Sequence, residues 1–228
     1  MNRISRSFAA VCAVASLLVT GAGVSPVLAK TINGCVIKAK TDCKNAKLQD
    51  ANLKGANLKG ANLKGANLKG ANLKGANLKG ANLTRVKSGG ITGKPQSLPT
   101  GWIIRGGYLF GSAANLSGAN LDDAPLSKAD LEGTDLVKTN LKGADLNRSD
   151  LNHTDLSRAN LKGAHLNRAN LTCTILTRVN LSNADLTNAD LTEADLTEAD
   201  LKGAILTGVT WSNTTCPDGT VTSTGCSN

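Results

Sequence analysis

Six lysines, Lys54, Lys59, Lys64, Lys69, Lys74 and Lys79, stand five residues apart in six consecutive copies of Ala-Asn-Leu-Lys-Gly. Evenly spaced cations suit a polyanion: anionic lipid headgroups, a cell-wall polymer or an acidic protein. Further along, Lys128, Arg148 and Arg168 recur at intervals of twenty, as do Lys138, Arg158 and Arg178. Acid–base chemistry has less to work with. The two histidines, His153 and His165, are twelve apart, and the recurring carboxylates, Asp130 with Asp150 and Asp135 with Asp155, have no nucleophile or base in the same register. The expectation is therefore no catalytic residue, no cofactor and no metal site. The run Gly-Gly-Ile-Thr-Gly-Lys-Pro at 89–95 fails as a phosphate loop, because only three residues separate Gly89 from Gly-Lys and Pro95 follows the lysine. Nucleic acid is not an expected partner, since no aromatic side chain stands between the lysines for bases to stack on.

The elements that position these residues follow from the period. Leucine occupies every fifth position from Leu48 to Leu83 and again from Leu116 to Leu206, eight units and then nineteen. Two residues before each leucine stands a small residue, usually alanine, with Val179 the larger exception. Residues two apart on an extended backbone point the same way, so each unit turns one small and one large apolar side chain inward. A helix is excluded by phase: five residues advance it by about 500°, which would spread the leucines over every face. A chain that turns after each unit and repeats is a coil whose successive turns pair backbone groups about 4.8 Å apart.

These Ala-Asp/Asn-Leu-x-x units resemble the pentapeptide-repeat family, which implies an all-β fold, a right-handed quadrilateral parallel β-helix with four units per coil. "INGCVIKAKTDCKNAKL" and "WSNTTCPDGT" resemble the cysteine-bearing ends of secreted or thylakoid-lumenal members from cyanobacteria and plastids. Some members of the family mimic DNA and protect topoisomerases with strongly acidic surfaces; a sequence pI of about 9.4 points away from that role. With four units per coil, residues twenty apart share a face. Lys128, Arg148 and Arg168 then lie opposite Lys138, Arg158 and Arg178, and Asn120, Asn140, Asn160 and Asn180 form a ladder. His153 and His165 fall outward on different faces.

Composition and the two ends supply the remaining expectations. An aromatic content of 2% is too low for an ordinary globular core. Arg3 and Arg6, an apolar run from Phe8 to about Val24 and Val-Leu-Ala at 27–29 read as a signal peptide, so the mature chain has no membrane-spanning segment. Export to the periplasm, a thylakoid lumen or the extracellular space permits disulfides. Of the five remaining cysteines, Cys35 and Cys43 lie near one end and Cys216 and Cys226 near the other, which suggests two local bridges with Cys173 left as the free thiol. Cys173 could join a dimer, although a monomer is expected. Residues 30–94 carry 14 Lys or Arg against 2 Asp, net +12, and residues 95–228 carry 10 against 15 acidic, net −5.

Leu83 and Leu116 are 33 residues apart, which is not a multiple of five. A Gly- and Pro-rich insertion is expected at 88–107, a hairpin-like flap with Trp102, Tyr108 and Phe110 packed on the outside of the coil. The expected organisation is a signal peptide at 1–29, an N-terminal disulfide cap at 30–47, repeat blocks at 48–87 and 108–211 around the insertion, and a disulfide-closed tail at 212–228, with Trp211 as part of the cap. The expected function is that of an exported, non-enzymatic structural or interaction protein whose partner is unknown. The alternative is an electrostatic binder of an anionic membrane, polymer or acidic protein through the basic N-terminal coils.

Overall fold

The structure, a computed structural model, describes residues 29–226. The expected signal peptide lies, apart from its last residue, outside the described residues. With one exception, each backbone bridge of the coil joins a residue to the one twenty further on, in parallel, from Asp42 with Asn62 through Asp195 with Thr215. Four units therefore make one coil. The leucines and the small residues two before them fill its interior: Leu58, Leu63, Leu151 and Leu166 are fully buried, as are Ala61 and Ala164.

Each corner has the same hydrogen bonds. With the leucine called position zero, its carbonyl accepts from the N–H three residues on, as in Ala61 N–H to Leu58 O at 3.0 Å. The second residue after the leucine has positive φ, +66° at Gly55 and +60° at Arg158. Positive φ at the third turn residue alone is the type II pattern, which glycine adopts without steric cost. The residue before the leucine closes the same corner from outside: the Asn52 side-chain oxygen accepts from Lys54 N–H at 3.1 Å, and Asp150 from Asn152 N–H at 3.1 Å. This explains why the repeat carries Asn or Asp at that position.

Both ends are closed by hairpins. Strand β1 (Thr31–Ile32) pairs antiparallel with β2 (Cys35–Val36), and Cys35 is bonded to Cys43. At the other end β5 (Thr214–Thr215) pairs with β6 (Val221–Thr222), and Cys216 is bonded to Cys226. Trp211 is only partly buried against the core, with Gly225 of the tail facing its ring.

The insertion differs from the expectation in two ways. First, the coil does not leave its register at 88: Thr92 bridges Asn72, Ser97 bridges Asn77, and Ile91 is buried. Ser88, Gly93 and Leu98 continue the five-residue phase, but only one of the three is leucine. The chain returns where Lys87 bridges Asn115, 28 residues on, so this coil is lengthened by eight. The extra residues form an antiparallel hairpin of β3 (Ile103–Arg105) and β4 (Tyr108–Phe110), turned by Gly106 and Gly107, both at positive φ. Second, the aromatics do not all pack outside. Phe110 is 1% exposed within the core of the second block, and Trp102 is partly buried against the cores of both blocks. A Cβ on Gly111 would lie 2.4 Å from the Trp102 ring, so the indole fills the space that leucine takes in other units.

Candidate functional site

Among the described residues the coil interior holds Leu, Ala and other apolar side chains with a few Ser and Thr hydroxyls and no buried charged group, so the candidate sites are columns of outward residues stacked coil on coil. The lysines of the first block occupy the position after each leucine. Lys74 lies one coil from Lys54, and Lys94, still in register through Gly75 N–H to Lys94 O at 2.8 Å, extends that column to three. Lys59 and Lys79 stack likewise. Five of the six repeat lysines are exposed, and Lys64 is partly buried. The basic surface thus runs round all four sides. The register at 92–97 also adds Lys94, which the leucine count alone leaves outside the coil.

The two later ladders have a second property that the sequence period concealed. Lys128, Arg148 and Arg168, and Lys138, Arg158 and Arg178, all occupy the left-handed corner, with φ between +57° and +60°. Their spacing places them in columns on opposite faces, replacing the glycine of Ala-Asn-Leu-Lys-Gly. Arg178 ends its column in a bidentate pair with Glu198, at 2.7 and 2.9 Å, the one ion pair among the described residues. Glu198 is held below the usual carboxylate range by that bond, and Arg178 is raised correspondingly. Because both groups are exposed, the pair adds little stability.

The Asn ladder forms over three coils: Asn140 donates to Asn120 at 2.8 Å and Asn160 to Asn140 at 3.1 Å. Asn180 instead accepts from the Ser182 hydroxyl at 2.6 Å. The aspartate columns also stack, Asp130 on Asp150 and Asp135 on Asp155, but as components of corners. Near the end of the coil the Thr187 hydroxyl donates to Asp185 at 2.5 Å. That bond and the Thr187 N–H, with His165 one coil away, hold Asp185 below its ordinary value.

His153 and His165 are both exposed and share no face. Counting in twenties does, however, put His153, Cys173 and Glu193 in one column, a juxtaposition legible in the sequence only once the coil length is applied. The Cys173 thiol donates to Glu193 at 3.3 Å. This bond, more than the slight desolvation, raises the thiol above its usual value, so the column holds the proton on sulfur and does not generate a thiolate nucleophile. No group of His, Cys, Asp and Glu among the described residues is placed to hold a metal ion.

This geometry defines a class: a solenoid in which one four-sided coil of parallel bridges is built from five-residue units, each presenting two or three outward residues. The pentapeptide repeats family model matches in eight copies, over residues 41–86, 114–152, 149–187 and 174–210. The chain belongs to the pentapeptide repeat family, whose fold is the right-handed quadrilateral β-helix. Among solved structures it is similar to HetL, a pentapeptide repeat protein involved in heterocyst differentiation regulation from the cyanobacterium Nostoc sp. strain PCC 7120. Identity to HetL is 34%, over 81% of this chain and 78% of that one, with a TM-score of 0.30. A pentapeptide repeat protein of the Arabidopsis thaliana thylakoid lumen is 30% identical over 40% of this chain and 63% of its own, TM-score 0.29. Rfr23 from the cyanobacterium Cyanothece 51142 is 31% identical over 63% and 85%, TM-score 0.21. No curated protein matches the chain.

Proposed function

We propose that this protein is an exported, non-enzymatic β-helical scaffold that works through its outward surface as a structural or interaction module, in a periplasm or thylakoid lumen. The observation that carries the reading is the filled interior: leucine and small residues close the coil from Leu48 to Leu201, which leaves chemistry only to side chains standing on its faces. Such faces are rows of regularly spaced groups, suited to binding an extended partner and poorly suited to enclosing a substrate. The two disulfides and the N-terminal signal pattern support export. Affinity capture with the mature chain, from the compartment to which it is exported, tests the proposal: a stoichiometric partner is expected, and recovery of the chain alone at physiological salt would count against it.

The charge asymmetry favours a second, more specific reading, that the basic N-terminal coils dock on an anionic membrane, polymer or acidic protein. Lys54, Lys74 and Lys94 present one column of three cations that form no ion pair among the described residues. Each lysine near an anionic membrane contributes about 1 kcal/mol, so one face supplies about 3 kcal/mol, a weak attraction that salt should screen. Protection of a topoisomerase by DNA mimicry gains no support from a basic surface.

A further inference from the structure

The deviations from the repeat converge on one groove where the two blocks meet. Lys87 stands where most units carry the Asn or Asp that closes a corner. Ser88 replaces an inward leucine; it is 3% exposed, and its hydroxyl accepts Leu109 N–H at 2.9 Å. Gly89 follows where Lys69 stands one coil below, and Gly118 occupies the base of the column that continues as Lys138, Arg158 and Arg178. Two side chains are thereby missing from the surface. The groove they leave, about 450 Å³, has Lys69 and Lys87 on one side and Asn115 and Asp135 on the other, with the Tyr108 ring lying against Gly89.

The polar groups in this groove are unequally committed. Asp135 is occupied on both oxygens, by Val137 N–H at 3.2 Å and by the Asn115 amide at 2.8 Å. The Tyr108 oxygen accepts Asn120 N–H at 3.3 Å, which leaves the phenol proton to donate. Neither lysine is in an ion pair among the described residues. The groove therefore offers two ammonium groups and one hydroxyl donor beside an aromatic face, more positive charge than a single carboxylate would neutralise.

We propose that this groove binds a phosphate monoester, its dianion held by Lys69, Lys87 and the Tyr108 hydroxyl and its organic part lying on the Tyr108 ring. Lysine serves such groups as a point charge, without the geometric demands of a bidentate arginine. The ester could be a free small molecule or a lipid headgroup. The mature full-length chain would be titrated with phenyl phosphate by calorimetry, and in parallel sedimented with phosphatidylcholine vesicles with and without phosphatidic acid.

A dissociation constant near or below about 1 mM is expected for at least one of the two probes, weakened about tenfold by Lys87→Gln; Lys74→Gln on the neighbouring face should leave phenyl phosphate binding unchanged and weaken vesicle binding clearly less than Lys87→Gln. Gly118→Glu should abolish binding without unfolding the chain: Glu198 already occupies that corner conformation at φ +57°, and a Cβ on Gly118 meets nothing within 4 Å. Binding of phenyl phosphate identifies a soluble ester, and binding confined to phosphatidic acid vesicles identifies a headgroup. Absence of binding to both probes, or equal weakening by Lys87→Gln and Lys74→Gln, would overturn the assignment. Equal weakening would leave the proposed docking of the basic coils intact, since those coils do not require the groove, whereas absence of binding to the phosphatidic acid vesicles would also count against the membrane form of that docking.

Discussion

Gly163→Ala isolates the cost of the left-handed corner. Gly163 has φ +66°, and a Cβ added there meets no atom within 4 Å, so the substitution introduces backbone strain and no clash. Holding an L-residue in that conformation costs about 1–2 kcal/mol, while replacing glycine returns about 0.4–1 kcal/mol through the unfolded chain. The net expectation is a loss of about 1 kcal/mol, read as a drop in melting temperature of about 2–4 °C for a chain of this size. Gly163→Asn should lose less, because Asn tolerates this region. Gly93→Ala supplies the contrast: its Cβ would lie 2.7 Å from the Lys74 backbone nitrogen, so that variant should lose clearly more. Urea midpoints of the three variants, measured beside the parent, decide the matter. If Gly163→Ala were as stable as the parent, the corner would not impose the strain assigned to it, and the twenty non-glycine residues at positive φ among the described residues would carry no such cost.

Further expectations follow from particular side chains. Thr154 donates its hydroxyl to Leu131 O at 2.9 Å, whereas the fully buried Thr134 hydroxyl has no partner; Thr154→Val should therefore destabilise and Thr134→Val stabilise, each by about 1 kcal/mol in chemical denaturation. Leu156→Ala, at a fully buried position, should cost about 3 kcal/mol or more. The folded pKa of Asp185 lies below its unfolded value, so its ionised form contributes stability that is present above the ordinary aspartate range and lost as pH falls through the folded value. Thr187→Val should raise that pKa in an NMR titration and move acid unfolding to higher pH. Glu193→Ala removes the acceptor that raises the Cys173 pKa, and alkylation of this thiol at about pH 8 should accelerate.

Much of the coil was legible because it is written in one residue type. A leucine every fifth residue, with a small residue two before it, fixes the inward pair and excludes a helix, and the four units per coil that the family resemblance implies place Arg148 over Lys128. The signal failed where the inward residue changed. Ser88 and Gly93 hold the phase without leucine, so residues 88–97 read as a departure when they are a degenerate stretch of coil. Phe110 was misread for a related reason: an aromatic beside glycines and prolines suggests a surface cluster, but here the hairpin feeds Phe110 into the core, and Trp102 fills the space at Gly111. The left-handed corner was hidden by chemistry that does not favour it, since arginine and lysine conceal a position that glycine marks plainly in the first block. His153, Cys173 and Glu193 required only arithmetic in twenties. The groove at Lys87 and Tyr108 required the eight-residue excess to be placed in space, which no local pattern supplies.

The working surface assigned to the first coils is tested most directly by replacing Lys54, Lys59, Lys64, Lys69, Lys74 and Lys79 together with Gln and comparing the variant with the parent in co-sedimentation with anionic vesicles or polymer. Because each lysine points outward, the variant should keep its coil. The parent should bind at physiological salt, and the loss of one or two cations per face should weaken binding by a factor of about 5–30, with a smaller dependence on salt. Absence of binding by the parent, or binding left unchanged by the six substitutions, would contradict the claim that the outward charge of these coils is what the protein presents to its partner.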